Sequence, residues 1–150
     1  MAHVSGVDWT TELIRLEIAL WDRVNARLQE SHDLPLAFFE PLHLISRGQE
    51  DDMRVGDLAR GLRITVGGTS KLVDRIERAG LIAREPDPDD RRASRVAMTT
   101  AGKRKLAAAL KSYEAEVAGI LGGALSRDEQ RQMGNYVSRL LTSIDQGEGT

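Results

Sequence analysis

The segment Asp87-Pro88-Asp89-Asp90-Arg91-Arg92-Ala93-Ser94-Arg95-Val96-Ala97-Met98-Thr99-Thr100-Ala101-Gly102 constrains the fold more than any other part of the chain. It follows a pattern of two short helices that ends at Gly80. Leu81 to Arg84 reads as a short apolar strand that leads into a tip of acids and arginines. Pro86 and Pro88 stiffen its ascending side. A second strand runs out into Thr-Thr-Ala-Gly, which is a helix-start signal. The combination predicts a β-hairpin wing placed directly after a helix-turn-helix. That arrangement points to duplex DNA as the partner.

The charge distribution agrees with that partner although the net charge does not. The 150 residues carry a formal net charge of -2. Arg54 to Lys105 nevertheless holds 13 Lys/Arg against 7 Asp/Glu, a net +6, whereas the rest holds 8 against 16, a net −8. A basic middle between acidic ends concentrates positive potential where phosphates would bind. The composition, 41% hydrophobic and 29% charged, is that of a globular domain with a real core. No apolar run approaches the roughly 20 residues of a membrane helix, and Met1 to Gly6 has no leader-like pattern. There are no cysteines, which excludes disulfides, thiolate zinc and thiol-based sensing. These features predict a cytoplasmic protein without membrane contact.

Helical periodicity organises the rest. Asp8 to Glu30 carries Trp9, Leu13, Leu16, Leu20, Val24 and Leu28 at spacings of three and four, with Ile14, Ile18 and Trp21 as an adjacent stripe. So wide an apolar arc suggests burial on more than one side, hence a partner subunit. A second helix is expected from Pro35 or Ala37 to Ser46, with Pro35 at its first position and either a late start or a kink at Pro41. Gly48 to Asp52 reads as a loop, and Met53-Arg54-Val55 as a short edge strand. Gly56 to Leu62 is a short helix, and Arg63-Ile64 is the turn. Thr65 caps a helix from Val66 to Ala79 that buries Val66, Leu72, Val73 and Ile76 and ends at Gly80. Thr99 or Thr100 caps a long helix bearing Leu106, Leu110, Tyr113, Val117 and Leu121. Ser126-Arg127-Asp128-Glu129 is a capping box opening a last helix with Met133, Leu140 and Ile144.

This order of elements, with Asp57-Leu58-Ala59-Arg60-Gly61-Leu62, Ser70-Lys71-Leu72-Val73-Asp74-Arg75-Ile76-Glu77-Arg78-Ala79-Gly80, Asp90-Arg91-Arg92 and Met98-Thr99, resembles the multiple-antibiotic-resistance regulator (MarR) family over about residues 8–145. The resemblance implies a mainly α fold with a small β-hairpin wing. Its winged helix-turn-helix would span residues 36–99, and a helical dimerisation region would comprise 1–35 and 100–150. It implies a homodimeric transcriptional regulator, a repressor on a pseudo-palindromic operator, released by a small aromatic or anionic effector. Thr65, Gly67, Gly68, Thr69, Ser70 and Lys71 would then face the major groove, with Thr69, Ser70 and Lys71 reaching bases or flanking phosphates, and Arg75 would meet the backbone. In the wing, Asp90 would orient Arg92 into the minor groove, while Arg91 and Arg95 add phosphate contacts. Gly67 and Gly68 depart from the family pattern by removing side chains from the first turn. They keep open the alternative of a winged-helix protein-interaction module that does not bind DNA.

An effector cleft would draw on Trp21, Phe39, His43 and Arg47, which mix aromatic faces with a donor and a cation. The plainer alternative is that Trp21 and Phe39 are core and His43 is an ordinary histidine. His3, His32 and His43 lack metal-ligand spacing, so no metal or cofactor is expected. No nucleophile–base pair or phosphate loop suggests an enzyme, since Gly67-Gly68-Thr69-Ser70-Lys71 lacks the P-loop frame.

Overall fold

The computed structural model describes residues 5–48 and 53–147 of the chain. The element order is α1 (Gly6–His32), α2 (Leu36–Arg47), α3 (Val55–Leu62), α4 (Val66–Arg78), β1 (Ile82–Pro86), β2 (Ser94–Met98), α5 (Thr100–Gly122) and α6 (Arg127–Gly147). The expected loop at 49–52 lies outside the described residues. Two compact units divide the chain after Tyr113. No helix among the described residues is long and apolar enough to cross a membrane.

The first unit is built on a core from every element up to α5. It comprises Val24 and Leu28 of α1, Leu36, Phe39 and Leu42 of α2, Leu58 of α3, Val73 and Ile76 of α4, Ile82 and Val96 of the strands, and Leu106 and Ala109 of α5, all buried. Of the rest of the α1 stripes, Trp9, Leu13, Ile14, Leu16 and Ile18 are exposed, and Leu20 and Trp21 are half-buried. Pro35 is the N-cap of α2 and not its first residue, because the Asn25 side chain of α1 accepts the Leu36 N–H at 2.9 Å. The helix runs from there through Pro41, which is buried.

Local signals set the ends of the helix-turn-helix and wing. Arg63 adopts φ 56 at the end of α3, which turns the chain into α4. Gly80, at φ +78, ends α4: its N–H donates to the Glu77 carbonyl at 2.9 Å and the Leu81 N–H to that of Ile76 at 3.3 Å. The hairpin pairs Ile82 with Met98 through Pro86 with Ser94. Met53 and Arg54 border β2 as expected, through the Val96 N–H on the Met53 carbonyl at 2.8 Å and an Arg54–Arg95 bridge, but Val55 already belongs to α3. Thr99 caps α5: its Oγ1 accepts the Gly102 N–H at 3.0 Å and donates to the Gly80 carbonyl at 2.6 Å.

In the second unit, Ser126 and Glu129 close the expected capping box at the start of α6. The Ser126 N–H, then the Ser126 hydroxyl, hold the Glu129 carboxyl below its ordinary range. The α6 stripe of Tyr136, Val137, Leu140, Leu141 and Ile144 is exposed.

Candidate nucleic-acid interface

Thr65 starts α4 as the sequence requires, its Oγ1 accepting the Gly68 N–H at 3.0 Å. Thr69, Val73 and Ile76 recur at four and three and form the inner face. Thr69 is therefore not a base reader. It is fully buried, and its hydroxyl donates to the Thr65 carbonyl at 2.8 Å. Val66 reverses the opposite expectation: it is the first helical residue, no preceding turn covers it, and it is 60% exposed. Gly67, Gly68, Lys71, Arg75 and Arg78 are exposed, and Ser70 is half-buried. Arg75 rests its guanidinium 5.4 Å from the centre of the Phe38 ring, so its stem is steadied by α2 while its charge stays in solvent.

A residue that periodicity does not single out fastens the wing to this helix. Arg84 of β1 donates to Asp74 Oδ1 at 2.5 Å and lies 3.4 Å from Glu77 Oε1 through one nitrogen. Its other nitrogen reaches the Ser70 carbonyl at 3.2 Å and Ser70 Oγ at 3.3 Å. The Arg84 N–H donates to Glu77 Oε2 at 2.8 Å. Positions 70, 74 and 77 share one helix face, so a planar fork on the strand can meet all three at once. Ser70, expected to read bases, thus also accepts a hydrogen bond from the wing.

The wing tip is ordered by two acids in different ways. Asp90 is exposed, and its Oδ1 accepts the backbone N–H of Arg92 at 2.9 Å while its carbonyl accepts that of Ala93. The acid thus acts on the arginine through the tip backbone. Arg91 and Arg92 are exposed. Asp87 is the buried one, with none of its side chain accessible. It accepts the Asp89 N–H at 2.8 Å, ion-pairs with Arg54 Nε at 2.7 Å and lies 3.7 Å from Arg95 Nε. The Asp89 N–H, then Arg54 and Arg95, hold its carboxyl below the ordinary aspartate range against the opposing effect of burial. Arg95 is accordingly directed at Asp87 and, at 3.8 Å, at Asp89, with 21% of its side chain accessible. These acids tie Arg95 to the wing tip. Between α3, the start of α4 and the wing lies a cleft of about 490 Å³ lined by Arg54, Arg60, Val66, Ser70, Arg84 and Arg92 among others.

The expected effector residues are partly brought together. Phe39 stacks on His43 at 5.7 Å and on Tyr113 at 5.0 Å between ring centres. Trp21 is half-buried on α1, Arg47 is exposed at the end of α2, and neither joins that stack among the described residues. Tyr113 was expected only as a core residue. Burial, then Glu40, raises its phenol above the ordinary range; burial, then Glu17, does the same for the Glu40 carboxyl. The acids make the surroundings of the stack unfavourable to an anion. Among the described residues no group of three or more His, Cys, Asp or Glu could hold a metal ion.

Residues 32–93, the turn after α1 through the wing tip, match the sequence model of the MarR family. Over this winged-helix segment the chain is similar to the MarR family. An uncharacterized HTH-type transcriptional regulator of Bacillus subtilis, YcgE, is 41% identical over 54 residues, which are 36% of this chain and 35% of that relative. The match thus spans about a third of the relative's length. Among solved structures, the MepR–DNA complex of S. aureus superposes with a TM-score of 0.79 at 22% identity, covering 90% of this chain and 97% of that one. The MarR family regulator Sco3205 of Streptomyces coelicolor, in complex with DNA, gives 0.81 at 21% identity, covering 95% and 94%. At these identities the superpositions establish a MarR-type fold along nearly the whole chain, beyond the segment matched by the family model.

Proposed function

We propose that this chain is a sequence-specific, double-stranded DNA-binding regulator that acts as a homodimeric repressor and is released by a small aromatic effector. The observation that carries the reading is the Arg84 fork. It fixes a helix exposing Lys71, Arg75 and Arg78 against a wing exposing Arg91 and Arg92, so two cationic elements meet a duplex as one rigid unit. The DNA complexes of MepR and Sco3205 support the same use of this fold. The uncovered apolar stripes of α1 and of α6 support a dimer, because exposed faces of that kind mark interfaces. The Phe39–His43–Tyr113 stack is the place for an aromatic effector.

Selecting duplexes from a random library, then measuring affinity against salt, tests the proposal. A selected sequence should bind at least about a thousandfold more tightly than random duplex, with affinity falling steeply as salt rises. Equal, weak binding to all duplexes would favour a winged-helix module that recognises protein. Sedimentation of the free protein tests the dimer, and quenching of tryptophan fluorescence by phenolic and amine-bearing aromatics, with loss of the DNA complex, tests the effector.

A further inference from the structure

The leading edge of α4 is apolar where a base-reading helix would ordinarily carry hydrogen-bonding groups. Thr65 Oγ1 is occupied by the Gly68 N–H. Thr69 is buried with its hydroxyl on the Thr65 carbonyl. Gly67 and Gly68 carry no side chain, and a Cβ added at Gly67 would meet nothing within 4 Å, so the backbone there is open to close approach. What stands out at this end is Ile64, 46% exposed, and Val66, 60% exposed. Exposed single apolar residues are common on protein surfaces. Here two β-branched side chains, two residues apart, flank the cap of the one helix that the proposed function sends into the major groove. Lys71 lies one turn on and Arg60 one helix back, both exposed. An apolar pair set among cations matches a partner that is polyanionic and also offers methyl groups. In the major groove the C5-methyl of thymine is the apolar feature of the base edges.

We propose that Ile64 and Val66 read thymine methyl groups. On this assignment α4 selects its half-site through methyl contacts and close backbone approach at Gly67 and Gly68, and hydrogen-bond readout falls mainly to Lys71. This rests on the DNA-binding function proposed above. Burying one methyl group is worth about fourfold in affinity, so two such contacts contribute about sixteenfold to the selectivity of each half-site without any polar group in the first turn.

The test takes a duplex selected from a random library by the unaltered protein and replaces each thymine in turn by deoxyuridine, which removes only the methyl. One or two positions per half-site should each lose about fourfold in affinity. Val66→Ala or Ile64→Ala should bind the unmodified duplex more weakly by about fourfold for each half-site, about sixteenfold for a dimer, and become indifferent to the substitution at its own position. Both side chains are exposed, so the variants keep the fold, and the scan with unaltered protein stands without them. If every deoxyuridine duplex binds as well as its parent, the methyl reading is wrong while the DNA-binding function survives. Undiminished thymine dependence in both variants also overturns the assignment. Failure to select any duplex overturns the DNA-binding function and this inference together.

Discussion

Replacing Gly102 by alanine tests how the wing base is seated. Gly102 is buried in the first turn of α5, and a Cβ there would lie 2.0 Å from the Leu81 carbonyl oxygen and 2.9 Å from its carbonyl carbon. Real contacts essentially never fall under 3.0 Å, so α5 or the Leu81 backbone must move by about 1 Å. Neither moves freely. The Leu81 carbonyl accepts the Thr99 N–H at 3.0 Å, its N–H donates to Ile76, and Thr99 Oγ1 ties Gly102 to Gly80. Overpacking of this kind costs about 1–3 kcal/mol. Loosening two of these hydrogen bonds adds about 1 kcal/mol each. Alanine's helix preference returns about 1 kcal/mol. The net loss is about 2–4 kcal/mol, and at about 2–4 °C per kcal/mol the Tm should fall by roughly 5–15 °C. Gly119→Ala, in the same helix with nothing within 4 Å of its new Cβ, should instead gain up to about 1 kcal/mol. Thermal and urea unfolding followed by circular dichroism, at one protomer concentration, would measure both. A Gly102→Ala protein as stable as the parent would refute the packing argument.

Three further outcomes follow from the site. Arg84→Lys keeps the charge but loses the fork that joins Asp74 to Ser70, so it should cost about 1 kcal/mol in urea unfolding and also weaken DNA binding, as titration by fluorescence anisotropy would show. Arg92→Ala should reduce DNA affinity with Tm nearly unchanged, and Asp90→Ala should act in the same direction through the tip backbone, both read by anisotropy beside a melting curve. Asp87 has a folded-state pKa below its unfolded value of about 3.9, so its contribution to stability is present above that value and is lost as the pH falls through the lowered folded pKa. Urea unfolding from about pH 5 down to pH 3 should therefore decline less steeply in Asp87→Asn than in the parent, from a lower starting stability.

What was legible in the sequence was what is decided locally. Thr65, Gly80, Thr99 and the Ser126–Glu129 box all cap as read, because a cap involves only residues within one turn of chain. The hairpin followed from its turn chemistry and from the helix signal after it. Thr69 lies on the buried face and not in the groove-facing set, and the sequence carries the signal: positions 69, 73 and 76 are the i, i+4, i+7 set of an inner face. Arg84 and the Arg54–Asp87–Arg95 cluster were not legible, because they depend on the hairpin register and on which helix face the strand crosses. A weak pointer existed in the acids at 74 and 77, three apart on one helix face ahead of a strand bearing an arginine.

The ion pairs sharpen the charge asymmetry of the chain. Of the acids between Arg54 and Lys105, Asp57 is paired with Arg60, Asp74 and Glu77 face Arg84, Asp87 faces Arg54 and Arg95, and Asp89 lies near Arg95. Asp90 spends one oxygen on the tip backbone. The acids of the basic middle thus serve mostly to set the helix and wing. Lys71, Arg75, Arg78, Arg91 and Arg92 remain exposed. Among the described residues none of these five pairs with a carboxylate, so a net +6 segment in a chain of net -2 offers a cationic face to a phosphate backbone. Five such contacts per protomer, doubled in a dimer, would set a ceiling of about 9 on the slope of log affinity against log salt. A steeper measured slope would mean that further cations meet the DNA, either arginines now in internal pairs or the exposed Arg63, Lys103 and Arg104.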